Sequence, residues 1–190
     1  MCNFVKRASR SFGAGGENDR DGRLTEGGGR GSEIAAAGRP FRLLFVCHGN
    51  ICRSPMAEFV MKDMLRQAGR SDIVVASAAL HTDEIGNDIH HGTRRMLAAH
   101  GIPFERRRAW LLTADKASEY DLIVGMDRMN MADLARLVRP ADRSKLRKLL
   151  SFAGEERDVA DPWYTGDFDE TYADVTAGCA AILRTLAKPF

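Results

Sequence analysis

Val46-Cys47-His48-Gly49-Asn50-Ile51-Cys52-Arg53-Ser54-Pro55-Met56-Ala57-Glu58 follows directly on the apolar run Leu43-Leu44-Phe45. The pattern predicts a strand ending in a cysteine, a short loop closing on an arginine, and a helix with proline near its first turn. Backbone amides and a helix N-terminus converge on such a thiol. They favour negative charge there, whether on the sulfur or on a bound oxyanion.

On both sides of this segment the chain alternates apolar runs with helical patterns. Strands are predicted at Arg42 to Val46, Ile73 to Ala79 and Asp121 to Met126, with a fourth at Lys145 to Phe152. Helices are predicted at Pro55 to Gly69, Gly92 to His100, Arg128 to Val138 and Asp169 to Ala187. This alternation implies an α/β fold: a single doubly wound domain with a four-stranded parallel sheet and helices on both faces. Ligands of such sheets bind beyond the carboxyl ends of the strands, where Cys47 would sit. Residues 8–39 are rich in Gly, Ser, Arg and Glu and have almost no apolar periodicity. The expectation is therefore a disordered Gly/Arg-rich tail over residues 1–39 and one domain over residues 40–190.

Formal net charge over the 190 residues is +2. Residues 1–39 hold seven basic and five acidic side chains, and the remainder holds 21 of each. A neutral domain gives no electrostatic case for nucleic acid or a membrane surface as partner. No apolar stretch reaches the length of a membrane span, and no secretory pattern follows the basic start. The four cysteines, Cys2, Cys47, Cys52 and Cys179, form neither a disulfide framework nor a metal-ligand spacing. A thiol nucleophile is safest in a reducing compartment, so a cytoplasmic setting is expected. His81, His90 and His91 have no ligand partners at useful spacing and are expected to be solvated loop histidines, with no metal and no cofactor.

A cysteine six positions before an arginine carries little weight alone. Here the pair follows a strand, encloses Gly49 and precedes Ser54-Pro55 at a helix start. Far downstream stands Asp161-Pro162-Trp163-Tyr164, and between them lie Ser77, His100-Gly101-Ile102 and Met126-Asp127. Together these residues resemble the low-molecular-weight protein tyrosine phosphatases, over roughly three quarters of the chain. The resemblance implies hydrolysis of phosphotyrosine in proteins or peptides, and of small aryl phosphates in vitro. It implies a monomer or weak homo-oligomer.

The same resemblance assigns roles. Cys47 would attack phosphorus and form a phosphocysteine intermediate. The backbone N–H groups of His48, Gly49, Asn50, Ile51, Cys52 and Arg53 would cradle the phosphate, with the Arg53 fork on two of its oxygens. Asp161 would protonate the leaving phenolate and then act as base on water. Asn50, Ser54, Ser77 and His100 would support the loop, and Trp163 and Tyr164 would wall the substrate ring. Cys52 either packs inside the loop or forms a reversible disulfide with Cys47.

Plainer readings stand beside these. Cys47 is otherwise a core cysteine, Asp161 a turn residue before proline, and Arg106-Arg107-Arg108 a solvated charge run or a guide for anionic substrates. Where many family members carry an aromatic side chain after the second strand, this chain reads His81-Thr82-Asp83-Glu84. The negative pair would select against very acidic phosphopeptides. Alternatives to tyrosine phosphatase activity are protein arginine phosphatase or arsenate reductase chemistry on the same fold, or a non-catalytic phosphate-binding module. Ile51, where arginine phosphatases typically carry Thr, favours phosphotyrosine. Arsenate reductases use further downstream cysteines, and only Cys179 is available.

Overall fold

The computed structural model describes residues 38–186. The expected tail therefore lies outside the described residues except at Gly38 and Arg39. Four strands, β1 (Phe41–Cys47), β2 (Ile73–Ala79), β3 (Leu122–Gly125) and β4 (Leu146–Lys148), pair in parallel in the order β2-β1-β3-β4. Six helices accompany them: α1 (Arg53–Gln67), α2 (His91–Ala99), α3 (Ala114–Ser118), α4 (Arg128–Leu137), α5 (Pro162–Thr165) and α6 (Phe168–Thr185).

β1 is central, and both of its faces are covered. Leu43, Phe45 and Cys47 join a core with residues of α1, α2 and α6, whereas Leu44 and Val46 join a second core with residues of α3 and α4. Successive strand side chains point to opposite faces, so an unbroken apolar run is what a strand sandwiched between two helical layers requires. Burying a leucine or phenylalanine this fully contributes about 1.5–3 kcal/mol each.

The fourth strand is shorter than its apolar run predicts. Only Leu146–Lys148 pair with β3, and Leu149–Ala153 curl into a 3₁₀ turn. The adjacent Leu149 and Leu150 are both fully buried in the same core. A strand would send them to opposite faces, so the chain must turn to bury both on one side. The short α3 escapes the sequence reading because five residues show too little periodicity. Its start is fixed instead by the Thr113 side chain, which accepts from the Lys116 N–H.

The strand order positions the site. The chain leaves β1 for β2 on one side, then crosses to β3 on the other. The crevice therefore opens at the carboxyl ends of β1 and β3. Cys47 ends β1, and Asp127 follows β3 by two residues.

Candidate active site

Residues 47–53 wrap from the end of β1 into the first turn of α1. No side chain caps α1: Cys52 stands at the N-cap without a side-chain hydrogen bond. The first-turn amides of α1 therefore have no side-chain acceptor at the cap position, which suits an anion. Asn50 is the one described non-glycine residue with positive φ, at 58°. That backbone costs about 1 kcal/mol or more and needs outside support. Gly49 is required by close approach, since a Cβ there would lie 2.7 Å from Glu84 Cγ.

The support comes from a buried polar network. Asn50 Nδ2 donates to Ser54 Oγ and to Ser77 Oγ, both at 2.8 Å. Ser54 Oγ lies 3.1 Å from Cys47 Sγ. Because Ser54 Oγ already accepts from Asn50, its own proton is free to point at the sulfur. Ser77 donates to Glu58 Oε2 at 2.6 Å, and Arg107 closes the circuit. Arg107 donates to Asn50 Oδ1 at 2.7 Å, to Glu58 Oε2 at 2.9 Å and to the Ser77 carbonyl at 3.0 Å.

His100 does not belong to this network, contrary to what the resemblance implies. It caps the end of α2, is exposed, and stacks on the Tyr172 ring at 3.9 Å. Arg107 stands where a loop-supporting histidine was expected. Its side chain is 14% exposed, against 93% for Arg106 in the same run. Residues 102–110, without helix or strand, turn one arginine of three inward. Neither Arg107 nor Glu58 was singled out from sequence, because a run of arginines carries no mark of which one faces the core.

Arg53 is 4% exposed and is held by two carboxylates, Asp127 and Asp161, each at 2.6 Å. Burial opposes its charge, but Cys47, Asp161 and Asp127 outweigh that and raise its pKa above the ordinary arginine value. Asp127 has two tasks, since its other oxygen accepts from the Asn130 N–H and caps α4. An acidic residue two positions after a strand and at a helix start is a cap signal, and Met126-Asp127 also belongs to the resemblance, but neither points to the pairing with Arg53. Asp161 caps α5 through the Trp163 N–H, with Pro162 at the first helical position. Trp163 and Tyr164 stand on the rim, 62% and 85% exposed.

These elements enclose a pocket of about 460 Å³ lined by Cys47, Arg53, Asp127, Asp161, Trp163 and Tyr164 among others. Its size suits a small ligand group. Cys52 also reaches the wall. Burial, reinforced by the nearby Cys47 and Asp161, pushes its thiol up to about 12. Burial likewise raises the Cys179 thiol, which lies in the core. The histidines are not simply solvated. His48 and His81 stack with ring centroids 4.1 Å apart, and His90 stacks on Phe168 at 5.2 Å while its Nδ1 accepts from the Gly92 N–H.

The profile described as "Low molecular weight phosphotyrosine protein phosphatase" matches residues 42–189. This chain belongs to that family. It is similar to the low molecular weight protein-tyrosine-phosphatase PtpA of Staphylococcus aureus, 39% identical over 145 residues covering 76% of this chain and 92% of the relative. Among solved structures it is similar to YfkJ from Bacillus subtilis, with a TM-score of 0.76, 34% identity, and 79% and 96% of the two chains covered. A second is SP-PTP, the low molecular weight protein tyrosine phosphatase of Streptococcus pyogenes, with a TM-score of 0.70, 38% identity, and coverages of 77% and 93%.

Proposed function

We propose that this low-molecular-weight phosphatase hydrolyses phosphotyrosine in proteins by a two-step mechanism on Cys47, and that residues 40–190 carry the activity. The observation that supports it most is the convergence of Cys47, Arg53 and Asp161 on one pocket, with Arg53 bridging Asp161 and Asp127.

In the first step Cys47 Sγ attacks phosphorus while the ester P–O bond breaks. Loop amides from His48 to Arg53 and the guanidinium hold the three equatorial oxygens. A phosphate oxygen competes with the Asp161 carboxylate for Arg53; the released carboxylate takes up a proton, brought in by solvent or by the phosphate monoanion, and gives it to the departing phenolate. In the second step Asp161 takes a proton from water as the water attacks phosphorus, and the sulfur leaves. The Ser54 hydroxyl, aimed at the sulfur by Asn50, stabilises that leaving thiolate. Trp163 and Tyr164 supply apolar surface for the substrate ring at the rim, where exposed aromatic side chains lose little by covering a ligand. A cytoplasmic setting suits the three free cysteines among the described residues. No helix among the described residues is long and apolar enough to cross a membrane.

The test is turnover of an aryl phosphate and of a phosphotyrosine peptide beside phosphoserine, phosphoarginine and arsenate, with wild type and Cys47→Ser in parallel. Turnover of the tyrosine substrates, lost in Cys47→Ser, is expected. Activity that survives the substitution, or an inert wild type, refutes the reading.

A further inference from the structure

His48, His81 and Asp83 are 35 residues apart at most in sequence, and each is unremarkable there. The fold brings one ligand-capable atom of each to within 4.8 Å of the other two. His48 extends from the phosphate loop, whereas His81 and Asp83 come from the stretch after β2. His48 Nε2 lies 3.1 Å from Asp83 Oδ2, and the two imidazoles stack at 4.1 Å with planes 14° apart. Behind them Asp133, on α4, holds His81 Nε2 at 3.0 Å. All four side chains line the pocket that contains Cys47.

We propose that His48, His81 and Asp83 form a zinc-class divalent metal site at the mouth of the pocket, with Asp133 as the carboxylate that orients His81. Two imidazoles and one carboxylate are a borderline donor set suited to Zn²⁺, and three protein ligands leave a fourth position open. Metal–nitrogen and metal–oxygen distances of about 2.0–2.2 Å place neighbouring ligand atoms about 3.3 Å apart around a tetrahedral ion. The His48–Asp83 separation, a 3.1 Å hydrogen-bond contact, is within a few tenths of an ångström of that length. The remaining closure falls on half-exposed side chains, which reorient at small cost: 55% exposed for His48, 41% for His81 and 65% for Asp83. The Asp133–His81 pair is the arrangement by which a second carboxylate fixes a ligating ring and leaves its other nitrogen for the ion.

An ion held there stands over the entrance to the phosphate loop and inhibits the phosphatase. This inhibitory half rests on the proposed function, whereas metal binding does not. The competing site is the Cys47 sulfur, and cobalt separates the two. Thiolate ligation gives a sulfur-to-cobalt charge-transfer band, which a nitrogen–oxygen donor set lacks.

The experiment titrates Co²⁺ and then Zn²⁺ into metal-free Cys47→Ser protein without an affinity tag, following cobalt absorption and zinc binding by calorimetry. One equivalent should bind with tetrahedral cobalt bands and no sulfur band. His81→Ala, made in the same background, should weaken binding by about 100-fold, and Asp133→Asn by about tenfold. No binding to Cys47→Ser, or binding unchanged in both second variants, overturns the site. In the otherwise wild-type enzyme, zinc inhibition of aryl phosphate hydrolysis should weaken in His81→Ala and Asp133→Asn in step with affinity. Inhibition of undiminished potency in both overturns the inhibitory half and assigns it to Cys47.

Discussion

The two arms of the pocket are built in opposite ways. The phosphate loop, residues 47–53, is buried except at His48, and a network of Asn50, Ser54, Ser77, Glu58 and Arg107 holds its backbone. The acid arm, from Asp161 to Gly166, is one short helical turn with exposed aromatic side chains, tied back by the Asp161 cap and the Arg53 ion pair. A cradle for a developing anion must be fixed before the reaction, because reorganisation at that moment would cost the electrostatic advantage. A proton donor has to approach after the substrate has entered, and an element with few buried contacts shifts at low cost. Arg53 links the two arms through its ion pair with Asp161, and the substrate phosphate would take it over.

Substitutions that break the fixed arm should cost most. Arg53→Lys keeps the charge but loses the planar fork and the bridge to Asp127. We expect turnover of an aryl phosphate to fall by about 10³-fold, and a loss below tenfold would mean that positive charge alone suffices. Breaking the other arm comes next. Asp161→Asn should lower turnover by about 100-fold for phenolate leaving groups, with much less loss for a leaving group that needs no proton. An equal loss for both would mean that Asp161 only orders the loop.

Arg107→Met sharpens the comparison further. It removes the donors of Asn50 and Glu58 without touching the pocket, and should destabilise the fold by about 2 kcal/mol in urea unfolding. It should also lower turnover, whereas Arg106→Met, 93% exposed, should do neither. Within the pocket the thiols should separate. Cys52 keeps its proton up to about 12, so alkylation near neutral pH, read by peptide mass mapping, should mark Cys47 before Cys52.

The smallest effect is at His90, whose pKa is lowered below 6.5 by burial and by His91. Neutral His90 accepts the Gly92 N–H that caps α2, and the unfolded chain binds this proton more readily. Its contribution is therefore complete above about pH 6.5 and declines as pH falls towards the folded value. His90→Asn, which can cap without titrating, should flatten the stability profile in that window.

Much of this was legible in the linear chain because it is local. The apolar run of β1, the loop from Cys47 to Arg53, and Pro162 after Asp161 carry their conformations in neighbouring residues, through burial patterning, helix-start chemistry and the fixed φ of proline. The number of strands and their parallel type followed from the same patterning, whereas the order β2-β1-β3-β4 did not. The patterning failed at Leu149 and Leu150, where two adjacent buried leucines read as strand but pack on one side of a turn.

What tertiary structure alone decided is which distant polar groups meet. Arg107 rather than His100 supports the loop, Asp127 shares Arg53 with Asp161, and His81 and Asp83 come to rest against His48. Sequence by itself determined the sheet and named Cys47, the 48–53 loop and Asp161 as candidates for nucleophile, phosphate cradle and acid. The partners of charged side chains were set by the crossing of the chain from β2 to β3. Such partners are chosen by three-dimensional proximity and desolvation, and neither leaves a periodic trace along the chain.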